Sequence, residues 1–392
     1  MLNTAFAPWP SFSQQEIDAV SEVLRSNKVN YWTGQECREF EKEFAQFTQT
    51  QYAIALMNGT VALDVALKAL GIGQGDDVIV TSRTFLASAS AIVTAGANPV
   101  FADVELDSQN ISRRTIEAVL TEKTKAIICV HLAGWMCDMD PIMQLAQEKG
   151  LYVIEDCAQA HGAMYKGRPA GSIGHVGAWS FCQDKIMTTG GEGGMVTTND
   201  PELWQKMWSY KDHGKSFDAV YHQPHPPGFR WLHHSFGTNW RMMEMQAVIG
   251  RIQLTRMAEW TRKRNENMQH IFAAFGSSPY FEVAQPCADY QHAAYKCYVQ
   301  VKPDALPTGW NRDRIMQMIN DLGVPCYSGS CSEVYLEKAF DNTPWRPAQR
   351  LKNAKQLGET SLMFLVHPTL TEENINACVD VINRVIKQIS LD

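Results

Sequence analysis

Seven short apolar runs, at 52–57, 77–81, 99–103, 126–131, 151–156, 177–181 and 194–198, most constrain what this chain can become. The first five are separated by amphipathic patterns at 61–70, 85–95, 114–120 and 141–148. Runs this short and this continuously apolar read as strands buried on both faces, and the patterns between them as crossover helices. The last two runs follow without a long helix between them. That alternation predicts an α/β domain with a mostly parallel seven-stranded sheet, helices on both faces and ligands at the strands' C-terminal ends. Ahead of it, 13–25 carries Ile17, Val20, Val23 and Leu24 at helical spacing. A turn at 32–34 precedes a second helix through Phe40, Phe44 and Phe47.

Past Pro201 the alternation stops. Residues 213–237 are rich in His, Pro, Gly and Trp, which suits a long ordered loop near a site. Its histidines, His222, His225, His233 and His234, lack a clean i, i+4 pair or an acidic partner among themselves, so no metal is expected there. One long helix from Met243 to about Ala274 is the natural hinge. The expected division is residues 1–250, an N-terminal segment and large domain, and 251–392, a linking helix and small α+β domain. The small domain is expected to hold a strand at 296–301 and helices at 312–322 and 372–389.

Composition narrows the function classes. The 392 residues are 45% hydrophobic and 20% charged, enough for a full core and against wholesale disorder. Net charge is -7 with Lys and Arg scattered, which favours neither nucleic acid nor an anionic membrane. No run approaches the roughly 18 apolar residues of a membrane span, and 1–10 has no basic, signal-like start. The ten cysteines include no C-x-x-C and mostly sit in apolar runs, as packed, reduced thiols of a cytoplasmic protein.

The chemistry-bearing residues cluster at strand ends. Between Ser180 and Gly194 a single lysine, Lys185, stands between an apolar run and Gly190, Gly191, Gly193 and Gly194. A lysine in a partly dry pocket can lose its proton and attack a carbonyl, although a surface lysine in a glycine loop has the same pattern. Asn58-Gly59-Thr60 joins a strand to a helix, which makes either a phosphate seat of backbone N–H groups or a plain N-cap. Asp156 ends a buried strand, where its carboxylate either caps the next turn or faces a buried cation such as a protonated pyridine nitrogen. Gln159 and His161 follow it. Phe85 opens a helix, to stack on a planar ring or to join the core.

Together these parts resemble the DegT/DnrJ/EryC1/StrS family of sugar aminotransferases, fold-type I pyridoxal phosphate enzymes. The resemblance rests on Trp32-Thr-Gly34, Asn58-Gly-Thr60, 75–79, the E-D-x-A-Q-A-x-G run from Glu155 to Gly162, S-F-x-x-x-K-x-x-x-x-G-x-x-G from Ser180, and 237–242. It implies pyridoxal 5'-phosphate as cofactor and Lys185 as the lysine that holds its aldehyde. Asp156 is implied as partner of the pyridine nitrogen, Gln159 as neighbour of the phenolic oxygen, and Phe85 as the ring-face contact. Gly59, Thr60 and Ser180 are implied phosphate contacts. Asn239 is implied to reach across a homodimer interface to the neighbour's phosphate, and Arg241 either to be structural or to meet substrate. The implied reaction moves an amino group from glutamate (or glutamine) to a nucleotide-linked 3- or 4-keto-6-deoxy sugar, for amino-sugar or surface-polysaccharide biosynthesis.

Two rival functions follow from the same resemblance. A sugar dehydratase of the family carries histidine in place of the lysine, which Lys185 opposes. A regulatory protein that binds the cofactor without turnover is opposed by the intact Asp156, Gln159 and Lys185. One segment departs from the family: 326–335 does not carry the Tyr-x-Pro-Leu-His-like pattern, so inherited sugar contacts do not transfer there.

Overall fold

The computed structural model of the chain describes residues 6–276 and 278–392. Residues 1–5, within the stretch read as carrying no targeting signal, lie outside the described residues. Strands β1 (Tyr52–Leu56), β2 (Asp77–Thr81), β3 (Asn98–Ala102), β4 (Thr124–Val130) and β5 (Tyr152–Asp156) come first. The short strands β6 (Met164–Tyr165) and β7 (Arg168–Pro169) precede β8 (Val176–Ser180) and β9 (Gly194–Thr198). The large sheet has seven strands in the order β1-β9-β8-β5-β4-β2-β3. Strand β9 is antiparallel to both its neighbours, and the remaining pairings are parallel. All seven strands expected from the apolar runs are present, with ends shifted by a residue or two.

The period of two along these strands divides the core. Ile79, Ile127, Val153 and Trp179 pack on one face with Phe40 and Phe44 of helix Glu36–Phe47. Val78, Val80, Ile128, Ile154 and Ala178 pack on the other, against helices Gly59–Ala69 and Pro201–Lys211. Successive residues Glu155 and Asp156 therefore point to opposite faces. The Glu155 carboxylate is fully buried and accepts backbone N–H bonds from Gly171, Ile173 and Gly174 at 3.0, 2.8 and 2.6 Å. His131 Nε2 lies 2.9 Å from it, while Cys137 N donates to His131 Nδ1 at 3.1 Å. An Nδ1 that accepts leaves the proton on Nε2, so the imidazole donates to Glu155. This saturated network fixes the end of β5 from behind.

A second sheet is built from β10 (Phe281–Glu282), β12 (Cys297–Val301), β13 (Cys326–Tyr327) and β14 (Ser361–Phe364), in the order β10-β12-β14-β13. The intervening β11 (Tyr290–Gln291) pairs instead with β6. Helices Met257–Phe275, Arg312–Asp321 and Glu372–Leu391 close the four-stranded sheet's core around Ile271, Ile315, Phe364 and Ile382. Among the described residues no helix is long and apolar enough to cross a membrane.

Two expectations need correction, and one helix was not foreseen. The single long helix from Met243 is two, Glu244–Leu254 and Met257–Phe275. No Pro or Gly stands at the break, so its origin is tertiary. Gln253 is tied to Thr188 N and Glu16, and Arg256 to Glu16 and Ser13, which fixes both sides of the junction. The helix Pro201–Lys211 was not anticipated, although Asp200 caps it at Glu202 N and Leu203 N with Pro201 in its first turn. All ten cysteines are free thiols, but Cys287 and Cys331 are exposed rather than packed.

Candidate active site

A cavity of about 820 Å³ opens at the C-terminal edge of the parallel strands, lined among others by Gly59, Phe85, Asp156, Gln159, Ser180 and Lys185. Each of these residues was singled out in the sequence, and the fold brings them together from four strand ends, those of β1, β2, β5 and β8. Strand β9 runs the other way, so its first residue, Gly194, meets this edge.

The phosphate seat forms where the chain turns from β1 into helix Gly59–Ala69. Asn58 is the N-cap, its Oδ1 accepting from Val61 N at 3.0 Å. First-turn amides have no carbonyl one turn back, so Gly59 and Thr60 present free N–H groups at the positive helix end. A Cβ on Gly59 would fall 2.5 Å from Ser180 Cβ, and one on Gly194 would fall 2.2 Å from Asn58 O. Only glycine leaves room for this close approach. Ser180 Oγ, already accepting from Cys182 N at 3.3 Å, stands beside the seat.

Asp156 is buried, 6% exposed. Its Oδ2 accepts from Ser88 Oγ at 2.7 Å and its Oδ1 from Ala158 N at 3.2 Å. The second bond is the local cap considered from sequence; the first is a tertiary contact that a cap does not require. Gln159 Oε1 accepts from Ala133 N at 2.8 Å, which orients its amide nitrogen oppositely. Phe85 did not join the core: it is 71% exposed at the cavity, a bare aromatic face with the size and chemistry for ring stacking.

Lys185 is half-buried on the loop between β8 and β9, where Gly190 and Gly191 take φ of 86° and 118°. Its carbonyl oxygen accepts the indole N–H of Trp9 at 2.8 Å, so the early segment pins the loop. Its Nζ lies 5.3 Å from the centre of the Tyr295 ring, whose hydroxyl donates to Asp184 at 2.6 Å. A crowded glycine seat for phosphate, an exposed aromatic, a buried carboxylate and a lysine around one cavity are the parts that pyridoxal phosphate requires, and these residues fit it.

Asn239 is not among them. It is exposed, paired by a bridge to Asp212, and outside its own chain's cavity. Arg241 donates to the buried Asp212 Oδ1 at 2.6 Å, the bond of a structural arginine. The preceding loop carries Phe229, Trp231 and Phe236, the last 97% exposed. Its histidines form no metal-type cluster among the described residues. The group that does, His131, Glu155 and Cys157, has its carboxylate taken by the four donors described above.

Sequence reading missed Ser88, Tyr295, Lys296, Trp9 and the rim at Tyr327, Gly329, Ser330 and Cys331, all in or against the cavity. Ser88 had a signal, since it stands three positions into the helix opened by Phe85. The others reach the site from far along the chain.

A family model described as the DegT/DnrJ/EryC1/StrS aminotransferase family matches residues 10–383. The crystal structure of an aminotransferase from Psychrobacter cryohalolentis is 66% identical, covers 98% of this chain and 100% of its own, and superposes with a TM-score of 0.97. A GDP-perosamine synthase of Escherichia coli O157:H7 is 42% identical over 257 residues, 66% of this chain and 67% of that protein. A second GDP-perosamine synthase, of Caulobacter vibrioides, is 34% identical over 386 residues, 96% of this chain and 97% of its own.

Proposed function

The chain belongs to the DegT/DnrJ/EryC1/StrS aminotransferase family, and on that premise we propose that it transfers an amino group from glutamate (or glutamine) to a nucleotide-linked keto-6-deoxy sugar. The cofactor is pyridoxal 5'-phosphate. The product is an amino-sugar for surface polysaccharide or a related glycoside, made in the cytoplasm. The single observation that carries this reading is the convergence of Lys185, Asp156 and the Gly59 seat on one cavity.

Bound there, the cofactor supplies an electron sink for breaking a bond at the donor's α-carbon. This chain's residues do the rest. The Gly59 and Thr60 amides and Ser180 Oγ bind phosphate at the helix end. Asp156, held by Ser88 and Ala158 N, accepts from a protonated ring nitrogen in a charge-assisted bond. Gln159 donates its amide N–H to the phenolic oxygen, and Phe85 covers a ring face and excludes water. Lys185 Nζ would carry the proton from the donor's α-carbon to the cofactor's C4′, and from C4′ to the sugar carbon when the keto-sugar receives the amine.

The proposed active unit is a two-fold homodimer with shared sites. Asn239 is exposed, and the loop that precedes it in sequence carries the exposed aromatics Phe229, Trp231 and Phe236, a combination suited to a second copy reaching a neighbour's phosphate. Incubation with glutamate and a panel of nucleotide keto-sugars, GDP-linked ones first given the two GDP-perosamine synthases among the relatives, tests the reaction. An amino-sugar product is expected; no product with any member overturns it.

A further inference from the structure

Beside Lys185 lies a concentration of positive charge that none of the steps above uses. Lys296 lines the cavity with its Nζ 4.7 Å from the centre of the Tyr295 ring, the ring that Lys185 also flanks. Behind it, on helix Met257–Phe275, Arg264 is fully buried and lies over the Trp9 ring at 4.9 Å. Its Nε and Nη2 have no hydrogen-bond partner among the described residues. Burial pulls the Lys296 ammonium down to about 8; Asp184 opposes this, and Arg264 and Lys185 add to it. Burial pulls the Arg264 guanidinium down to about 9.

The groups around these cations do not neutralise them. The acid facing Lys296 is Asp184, 4.0 Å away and 59% exposed, so water screens it, and it already accepts from Tyr295. His367 and His161 are held neutral, each pushed down to about 3 by burial first, and then by Arg264 and Lys296 at His367 and by Lys185 and Arg264 at His161. A buried guanidinium with unanswered N–H groups is costly. Unanswered cationic N–H groups behind a lysine that lines a cavity have the chemistry of an anion site.

An amino donor must bring its nitrogen to where Lys185 Nζ stands, and its α-carboxylate is one carbon away. We infer that Lys296 binds a carboxylate of the amino donor, and of the 2-oxo acid it becomes, with Arg264 adding positive charge from behind Tyr295. The inference rests on the aminotransferase reading above. A nucleotide phosphate offers the same anionic chemistry from the acceptor side, and the experiment separates the two.

Glutarate, which carries both carboxylates of glutamate but no amine, is titrated calorimetrically into the holoenzyme and into its Lys296→Met and Lys296→Arg variants, with GDP titrated in parallel. Lys296→Met should weaken glutarate binding roughly 10- to 100-fold, the worth of one hydrogen bond to a charged group. GDP binding should be unchanged, and Lys296→Arg should keep most of the glutarate affinity. Removing a desolvated charge should not lower the melting temperature of Lys296→Met, which separates lost binding from lost fold. Unaltered glutarate binding in Lys296→Met, no glutarate binding in the unmodified enzyme, or weakened GDP binding instead would each overturn the inference. Failure of the keto-sugar panel leaves this result standing, so the two readings fail separately.

Discussion

Ser88 Oγ donates to Asp156 Oδ2 at 2.7 Å, with Thr84 Oγ1 2.9 Å behind it. Because Ser88 spends its proton on the carboxylate, the Thr84 hydroxyl must donate to Ser88. The relay orients one oxygen of Asp156 and leaves lone pairs for a ligand cation.

Asp156→Asn keeps the size and the bond to Ala158 N but removes the charge. Loss of one partner of a buried ionic pair costs about 3–5 kcal/mol. Expressed in the barrier, that slows single-turnover conversion by excess glutamate by roughly two to four orders of magnitude, with cofactor retained. A near-unaltered rate would reduce Asp156 to a turn cap.

Lys185→Ala should still bind the cofactor through the Gly59 seat and Phe85 yet lose transamination. Borohydride should fix the cofactor to Lys185 in the unmodified protein, as peptide mapping would show. Label on another lysine contradicts the assignment.

Gly59→Ala places a methyl 2.5 Å from Ser180 Cβ. Overpacking of this kind costs about 1–3 kcal/mol, and here the space lost is the phosphate's. Cofactor titration of the apoprotein should show affinity reduced about tenfold or more, the equivalent of 1.4 kcal/mol. Unchanged affinity would place the phosphate elsewhere.

Asn239→Ala, if it reaches a neighbour's phosphate, should be badly impaired on its own. Mixed with inactive Lys185→Ala chains, it should then recover activity, because a mixed dimer holds one complete site. Full activity in a monomer by sedimentation would sink the shared-site proposal.

Acid should destabilise the fold through its buried imidazoles. His161 and His367 are pushed down to about 3 from an ordinary 6.5. Their folded values lie below their unfolded ones, so the contribution is complete above 6.5 and is lost as pH falls toward 3. Two extra protons on the unfolded chain give a slope approaching about 2.7 kcal/mol per pH unit within that window. Urea unfolding on both sides of pH 6.5 measures it, and His161→Phe should remove about half.

The seven strands were legible because each is a short apolar run with turn residues around it, and the motif residues were legible because they sit at strand ends. What stayed hidden depends on distance along the chain. The break at Thr255 and Arg256 comes from Glu16 and Ser13, and no local propensity encodes it. Tyr295 and Lys296 stand just before β12, Lys296 having read from sequence as the first residue of a strand, and only the fold places them at the cavity with the Lys185 loop. Phe85 had two readings, core packing being the commoner fate of a phenylalanine, and its exposure favours the other.

Trp9 ties the Lys185 loop to residues synthesised far later. Its ring packs on Trp260 and His367, Thr369 bonds Pro8 O, and Ala7 N reaches Asn374. A ribosome would release the early segment long before these partners exist. The α/β sheet, whose strands pair mostly with near neighbours in sequence, can assemble during synthesis. The floor beneath the lysine cannot, so a nascent chain would hold its fold before it could hold its chemistry.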